Sequence, residues 1–358
     1  MNNQIKKIIE TDKNLEIALN NTLGFVINKL NVSKIKTVFV IEDKKVIGSI
    51  TDGDIRRSII KNISINTPIN KIMNKKPILL GLSKNGFLKK TELIVKKKQN
   101  YIFPVIDNNK KYLGFIRYQN FKKKLILSPK KYDVVIMAGG FGKRLGPLTK
   151  KLPKPLIRVN GVPILNRVIS KVDNLNVNKI YITLHYRSDK IIHFLKKINS
   201  KKIITVIEKK PLDTFGSLNE IKNKLTKDIL VINSDIITTL DTNDLFDFHM
   251  KKKSDLTLCT KKYESSVDFG VLKIKGNKVL KITEKPSFDY WINTGIYFLK
   301  KNCLFKINKK KINAVDFINT LIIKNFKIFF YPMYEIWFDI GTQEQLKLAD
   351  AYLKKIDN

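Results

Sequence analysis

Histidine and cysteine are scarce, at three and two in 358 residues. The histidines (His185, His193, His249) and cysteines (Cys259, Cys303) show no metal-ligand spacing, which argues against a zinc site and leaves reduced, unpaired thiols. The histidines fall in no motif and are expected to be structural. No run of about 18 apolar residues occurs, so no membrane span is expected. Met1-Asn2-Asn3-Gln4-Ile5-Lys6-Lys7 leads into no apolar segment of the kind a secretory signal needs, and a cytoplasmic protein is expected. Acidic residues are the other shortage: 31 Asp and Glu stand against 69 Lys and Arg, a formal net charge of +38. Such an excess raises the question of nucleic acid. The lysines, however, are spread along the chain among Asn and Ile, as in Lys61-Asn62-Ile63 and Lys306-Ile307-Asn308, with no RNP-like, helix-turn-helix or zinc-finger pattern. No specific nucleic-acid partner is expected. The field of the protein should instead attract small phosphorylated molecules.

Hydrophobic residues make up 43% of the chain, enough to bury cores in the two or three domains its length suggests. The first third contains a repeat. Phe39 to Ile50 and Phe103 to Ile116 each read as an apolar strand, a polar turn and a second strand with an internal glycine. Apolar residues at helical spacing precede each copy: Ile17, Leu19, Leu23, Val26, Ile27 and Leu30 before the first, and Phe87, Leu88, Leu93, Ile94 and Val95 before the second. A small α/β module used twice follows. Thr51-Asp52-Gly53-Asp54 after the first hairpin, and Thr67-Pro68-Ile69-Asn70-Lys71-Ile72-Met73 between the copies, resemble the corresponding segments of a tandem pair of CBS domains. That resemblance implies repeats over 1–65 and 66–127, with Thr51 and Asp54 holding an adenine nucleotide. A carboxylate can accept from ribose hydroxyls and a hydroxyl can donate to phosphate. The second copy has Arg117 and Asn120 at the matching positions, so at most one such pocket is intact; a packing or dimerisation module without ligand is the alternative.

After a Pro-broken linker at 128–132, strand and helix signals alternate through 133–358. Strands are expected at Tyr132–Met137, Lys179–Leu184, Ile203–Ile207 and Asp228–Asn233, with helices at Val162–Val172 and Asp189–Ile198. This alternation predicts a Rossmann-like, mostly parallel sheet covered by helices, with ligands at the carboxyl ends of its strands.

The first such end carries Ala138-Gly139-Gly140-Phe141-Gly142-Lys143-Arg144-Leu145, whose glycines let backbone N–H groups approach an anion. Alone it is a weak signal, matching neither the Walker nor the dinucleotide pattern. Lys154 follows, clamped between Pro153 and Pro155, whose fixed φ suits a held cation. Together these resemble the opening signature of the sugar-1-phosphate nucleotidyltransferases. The resemblance continues in order through Pro211-Leu212-Asp213-Thr214-Phe215-Gly216, Asn233-Ser234-Asp235, Glu284-Lys285-Pro286, Asn293-Thr294-Gly295-Ile296-Tyr297 and Asp339-Ile340-Gly341-Thr342. Taken singly, Asp235 could be a helix N-cap, and Glu284-Lys285 or Asp339 a turn; the ordered set carries the reading.

The resemblance implies transfer of a nucleotidyl group from a nucleoside triphosphate to a sugar 1-phosphate, releasing pyrophosphate. Ala138, Gly139, Gly140, Gly142, Glu208, Pro211 and Gly216 would bind nucleotide. Arg144 and Lys154 would be catalytic. Glu284, Lys285, Asn293 and Thr294 would hold the sugar phosphate, and Asp235 and Asp339 would hold Mg²⁺. Glu208 stands where uridylyl and thymidylyl members have Gln. A carboxylate can accept twice from the N1–H and N2–H₂ edge of guanine, which favours GTP. The CBS-plus-transferase arrangement resembles the guanylyltransferases that make GDP-glucosamine for legionaminic acid synthesis, and the catalytic region resembles mannose-1-phosphate guanylyltransferases. A homo-oligomer is expected. Asp213 and Phe215 depart from the family's Gly and small residue, adding charge and bulk expected beside the nucleotide. Tyr290 and Trp291 are candidates for the sugar pocket or for the core. A nucleotide-sensing regulatory protein without turnover is the alternative.

Overall fold

The computed structural model describes residues 9–32, 35–81, 102–117, 131–173, 177–198, 200–306 and 310–357; the side chains of Val32, Lys143, Lys151, Ile356 and Asp357 lie outside the description. The chain divides into two compact units, Met1–Pro129 and Lys130–Asn358. Among the described residues no helix is long and apolar enough to cross a membrane.

The first unit holds two sheets of the same plan. β1 (Glu16–Ile17) runs parallel to β2 (Thr37–Glu42), which forms an antiparallel hairpin with β3 (Lys45–Thr51). β4 (Leu80–Gly81) runs parallel to β5 (Ile102–Ile106), which pairs with β6 (Tyr112–Arg117). The duplication extends to register: Gly48 faces Val40 and Gly114 faces Val105, and each ladder shifts immediately afterwards. The β2–β3 turn uses Asp43 and Lys44 at φ 47° and 60°, the two positive values that a hairpin of matching twist requires.

Helix α1 (Leu23–Val32) buries Leu23, Val26 and Leu30. It starts later than the apolar spacing predicts: Ile17 belongs to β1 instead, pairing with Val40. Phe87, Leu88, Leu93, Ile94, Val95 and Asn120 lie outside the described residues, as does most of the linker. After β3, Thr51 caps helix α2 (Asp52–Ile60).

In the second unit, β7 (Tyr132–Met137) is flanked by β10 (Val177–Leu184) and then β11 (Ile203–Ile207) on one side, and by β12 (Ile229–Asn233) on the other, all parallel. The small ribbon β8 (Arg158–Val159) and β9 (Val162–Pro163) precedes helix α3 (Ile164–Val172), so the helix predicted from Val162 begins two residues later. Beyond β12 the sheet continues through β17 (Ser287–Leu299), β14 (Leu256–Ser266) and β18 (Ile328–Met333). Only β17 runs against its neighbours.

Alternation along β7 explains why both faces are covered. Val134 and Ile136 join a core with Leu165 and Val168 of α3, Ile191 and Leu195 of α4 (Ser188–Ile198), and Leu245 of α6 (Thr242–Lys252). Val135 faces the opposite core, with Phe215 and Leu218 of α5 (Asp213–Ile221) and Phe317 and Leu321 of α7 (Ala314–Ile323). Strands buried on both faces read as continuous apolar runs, and β7, β10 and β12 do so. A separate pair, β13 (Ile236–Thr238) and β19 (Trp337–Asp339), sets Ile236 opposite Asp339; helix α8 (Gln343–Asp357) follows. β14 and β17 run on as a ribbon to the hairpin of β15 (Val271–Lys275) and β16 (Lys278–Thr283).

Candidate active site

The carboxyl ends of β7, β10 and β12 open onto a cavity of about 420 Å³. The loop after β7 forms one wall. Ala138 is buried, and its N–H is spent on the carbonyl of Thr183 within the sheet, so it anchors the loop rather than lining the cavity. Gly139, Gly140 and Gly142 do line it. A Cβ at Gly139 would stand 3.3 Å from Glu208 Oε1. At Gly142, where φ is 66°, a Cβ would lie 2.9 Å from Thr149 and 3.0 Å from the Cβ of Lys154. Gly142 is therefore the position of the loop that requires glycine, while Gly139 passes tightly against Glu208.

Lys154 is 9% exposed in a single 3₁₀ turn between its two prolines. Its ammonium donates to Asp235 Oδ2 at 2.5 Å and lies 3.9 Å from Asp339 Oδ1. Two separate elements supply those carboxylates. Asp235 follows β12 directly, Asp339 ends β19, and the β13–β19 register brings them side by side, with the Ile340 N–H donating to the Asp235 carbonyl. Arg144 closes the group: its guanidinium lies over Gly341, where a Cβ would approach its Cζ to 3.1 Å. Burial, and then the neighbouring Asp235, push the Asp339 carboxyl above its ordinary range, while Lys154 and Arg144 pull the other way.

Glu208 is 7% exposed at the far end of the cavity. Its backbone N–H bonds Leu184, its carbonyl meets His185 Nδ1 at 3.1 Å, and the Leu212 N–H donates to its Oε2 at 3.4 Å. Burial pushes its carboxyl up; the Leu212 amide, His185 and Thr183 pull it down, and Glu220 adds to the rise. His185 thus contacts the Glu208 backbone. Pro211 lines the cavity beside it.

A second cavity of about 160 Å³ adjoins the first and is lined by Asn233, Ile236, Asn293, Thr294, Gly295, Tyr297, Trp337 and Asp339. Asn233 lines both, Asp235 faces the larger and Asp339 the smaller, so the carboxylate pair stands at their junction. Asn293 donates to the Tyr297 hydroxyl at 2.7 Å, and Trp337 Nε1 donates to the Thr294 carbonyl.

Several predicted residues lie elsewhere. Gly216 lines neither cavity; a Cβ there would strike the Lys310 carbonyl at 2.7 Å, so this glycine lets α5 pack against the 310–312 segment. Glu284 and Lys285 are exposed at the end of β16, outside both cavities. Phe215 corrects the expectation of bulk beside the nucleotide: it is 1% exposed and packs edge-on to Tyr297 and against Phe317 in the core. Asp213 does line the cavity, at φ 62°, where glycine is unstrained, with Lys311 at 3.8 Å. Tyr290 and Trp291, candidates for a sugar pocket or for the core, line neither cavity and are both more than a third exposed on the β14–β17 ribbon. In the other unit, Thr51 and Asp54 form a reciprocal capping box. The Thr51 hydroxyl and N–H both donate to Asp54 Oδ2, at 2.7 and 2.8 Å, and Arg57 holds Oδ1. Asn233 was not foreseen as a site residue on its own, although the Asn-Ser-Asp segment containing it was.

Among the described residues no three His, Cys, Asp or Glu side chains gather as a metal site. The Asp235–Asp339 pair nevertheless suits a hard cation that takes its other ligands from phosphate and water. One oxygen of each, Oδ1, is buried without a hydrogen-bond donor.

The second unit of the chain is similar to known proteins. A protein of Sulfolobus acidocaldarius, provisionally described as a mannose-1-phosphate guanyltransferase, is 34% identical over 215 residues, 59% of this chain and 60% of its own. The bifunctional protein GlmU of Methanococcus vannielii is 30% identical over 239 residues, 62% of this chain and 55% of its own. This chain thus spans little more than half the length of these relatives. Among solved structures, HddC from Yersinia pseudotuberculosis superposes with a TM-score of 0.50 at 28% identity, over 62% of this chain and 99% of HddC. The family model for nucleotidyl transferases matches residues 133–355, the whole of the sheet and both cavities, and the chain belongs to that family.

Proposed function

We propose that the protein transfers a nucleotidyl group from GTP to a sugar 1-phosphate, giving a GDP-sugar and pyrophosphate. The observation that carries this reading is the meeting of a large and a small cavity at one lysine and two carboxylates. The larger would take the triphosphate and the smaller the sugar ring. None of the residues lining the smaller cavity is cationic, which suits a neutral polyhydroxyl body whose phosphate points out to Lys154.

In the reaction, an oxygen of the sugar phosphate attacks the α-phosphorus of GTP, and the bond from that phosphorus to the oxygen bridging to the β-phosphate breaks. Lys154 draws the two anionic partners together and Arg144 neutralises the departing pyrophosphate. Asp235 and Asp339 would hold Mg²⁺, which supplies charge neutralisation at the reacting phosphates. The glycine loop presents N–H groups to the triphosphate and keeps the nucleotide close to Lys154. Glu208, as the carboxylate, accepts from the guanine N1–H and N2–H₂ groups; the guanylyltransferase names of relatives in Sulfolobus acidocaldarius and Debaryomyces hansenii support the same base. Glucosamine and mannose 1-phosphates are the first acceptors to test.

For the first unit we propose a tandem CBS pair that binds an adenine nucleotide at Thr51 and Asp54 and modulates transfer. Its support is the duplicated strand-and-hairpin plan, register shift included.

GTP labelled at the α-phosphorus tests the transfer. Label recovered in a GDP-sugar supports it. Label recovered only in GDP or GMP, whatever sugar 1-phosphate is present, contradicts it and leaves a nucleotide-binding protein without transfer.

A further inference from the structure

We infer that Asn233 is a third oxygen donor to the cation held by Asp235 and Asp339. Asn233 ends β12 and Asp235 follows two residues later, in the turn that leads into β13; both line the larger cavity. Asp339 comes alongside through the β13–β19 register and lines the smaller cavity, which Asn233 also borders. Asn233 Oδ1, Asp235 Oδ1 and Asp339 Oδ1 are all buried without a hydrogen-bond donor. Buried acceptors in that condition are costly, and three on adjoining positions are the ligand set a hard divalent cation satisfies.

The neighbouring polar groups are already spent. Lys154 meets Asp235 through Oδ2, leaving Oδ1. Asn293 donates to Tyr297, and its Oδ1 accepts from the Gly295 N–H. Asn233 also has its place kept open: Gly295, at φ 74°, passes so close that a Cβ there would lie 2.5 Å from Asn233 Nδ2. A neutral amide adds a ligand without a third negative charge beside two carboxylates.

The inference rests on the functional reading only in taking a divalent cation as resident, and Mn²⁺ can replace Mg²⁺ as the probe. Electron paramagnetic resonance titration of Mn²⁺ into the full chain, with and without GTP, would compare wild type, Asn233→Ala and Asn233→Asp. The expected result is affinity about tenfold weaker for the alanine variant and equal to or tighter than wild type for the aspartate variant. Without metal, the alanine variant should unfold at or above the wild-type temperature, because no hydrogen bond to Oδ1 is lost. Equal Mn²⁺ affinity in all three proteins would overturn the inference, as would a wild type that binds no Mn²⁺. Loss of sugar 1-phosphate affinity with Mn²⁺ binding unchanged would also overturn it and make Asn233 a sugar contact. If the alanine variant does not fold, the aspartate variant decides: weakened Mn²⁺ binding contradicts the inference and retained or tightened binding supports it. Turnover measured on the same samples separates the two readings. Mn²⁺ binding through Asn233 without transfer would remove the enzyme reading alone, and transfer with Asn233-independent Mn²⁺ binding would remove this one alone.

Discussion

Glu208 and Asp339 are carboxylates whose burial disfavours their charge, yet both are assigned work that needs it. For Glu208 the work is base reading. Glu208→Gln replaces one acceptor by a donor facing the guanine edge and leaves that edge partly unmet. Hydrogen bonds to charged groups are worth about 1.5–3 kcal/mol, so kcat/KM for GTP should fall by about ten- to a hundredfold, with UTP gaining on GTP. An unaltered base preference would remove Glu208 from that role. For Asp339 the consequence is in stability. Its folded pKa lies above the unfolded one, so its contribution to stability is fully present below the unfolded pKa and is lost as pH rises through the folded pKa. Metal-free Asp339→Asn should therefore melt higher than wild type at neutral pH, the difference closing towards acid below the unfolded Asp value, while its transfer activity falls by about a hundredfold or more. A lower melting temperature at neutral pH would mean that the carboxylate is paired more favourably than its surroundings indicate. Lys154 stood out in the sequence by its two flanking prolines, whereas Asp235 and Asp339 were readable only through the ordered set of motifs that resembles the nucleotidyltransferases, since each alone fits a cap or a turn. Gly216 and Phe215 were expected beside the nucleotide because the motif was read without the helix that carries it: α5 turns Phe215 into the core and Gly216 against the 310–312 segment.

At the scale of elements, the site depends on strand ends held in register across the sheet. Gly295 is the clearest case, since its missing Cβ lets β17 pass Asn233 at the end of β12. Gly295→Ala would add a side chain in a left-handed conformation and a clash with the Asn233 amide. The expected cost is about 1–3 kcal/mol, read as a lowered midpoint in denaturant, with weaker metal binding. A variant with wild-type stability would show that the two strands can separate without loss. The parallel strands were readable for two reasons, a continuous buried apolar run in β7 and a β-branched run in the edge strand β11: Tyr132–Met137 and Ile203–Ile207 coincide with their predicted bounds. Starts of helices were less readable. Ile17 fits the apolar period of α1, but pairing with Val40 claims it for β1, and Val162 pairs with Val159 before α3 begins. The β13–β19 pair, which joins the two carboxylates, was invisible: three-residue strands about a hundred residues apart carry no local signal.

The whole chain carries a duplicated first unit followed by a unit of the nucleotidyl transferase family. If the first unit is a nucleotide-sensing CBS pair, AMP, ADP and ATP should differ in their effect on transfer, and Thr51→Ala or Asp54→Ala should abolish the difference. Typical coupling of 1–3 kcal/mol would change apparent affinity by about five- to 150-fold. Identical kinetics across the three nucleotides would leave the duplication a packing module. The substitutions would also remove a helix cap worth about 1 kcal/mol, so melting curves must accompany the kinetics. The most direct test of the central claim is pyrophosphate release with Mg²⁺, each nucleoside triphosphate being offered with a panel of sugar 1-phosphates that includes glucosamine and mannose. The account predicts release only when both substrates are present, greatest with GTP, and lost in Lys154→Ala. No release from any pair by folded protein, or release indifferent to the sugar phosphate or to Lys154, would contradict it.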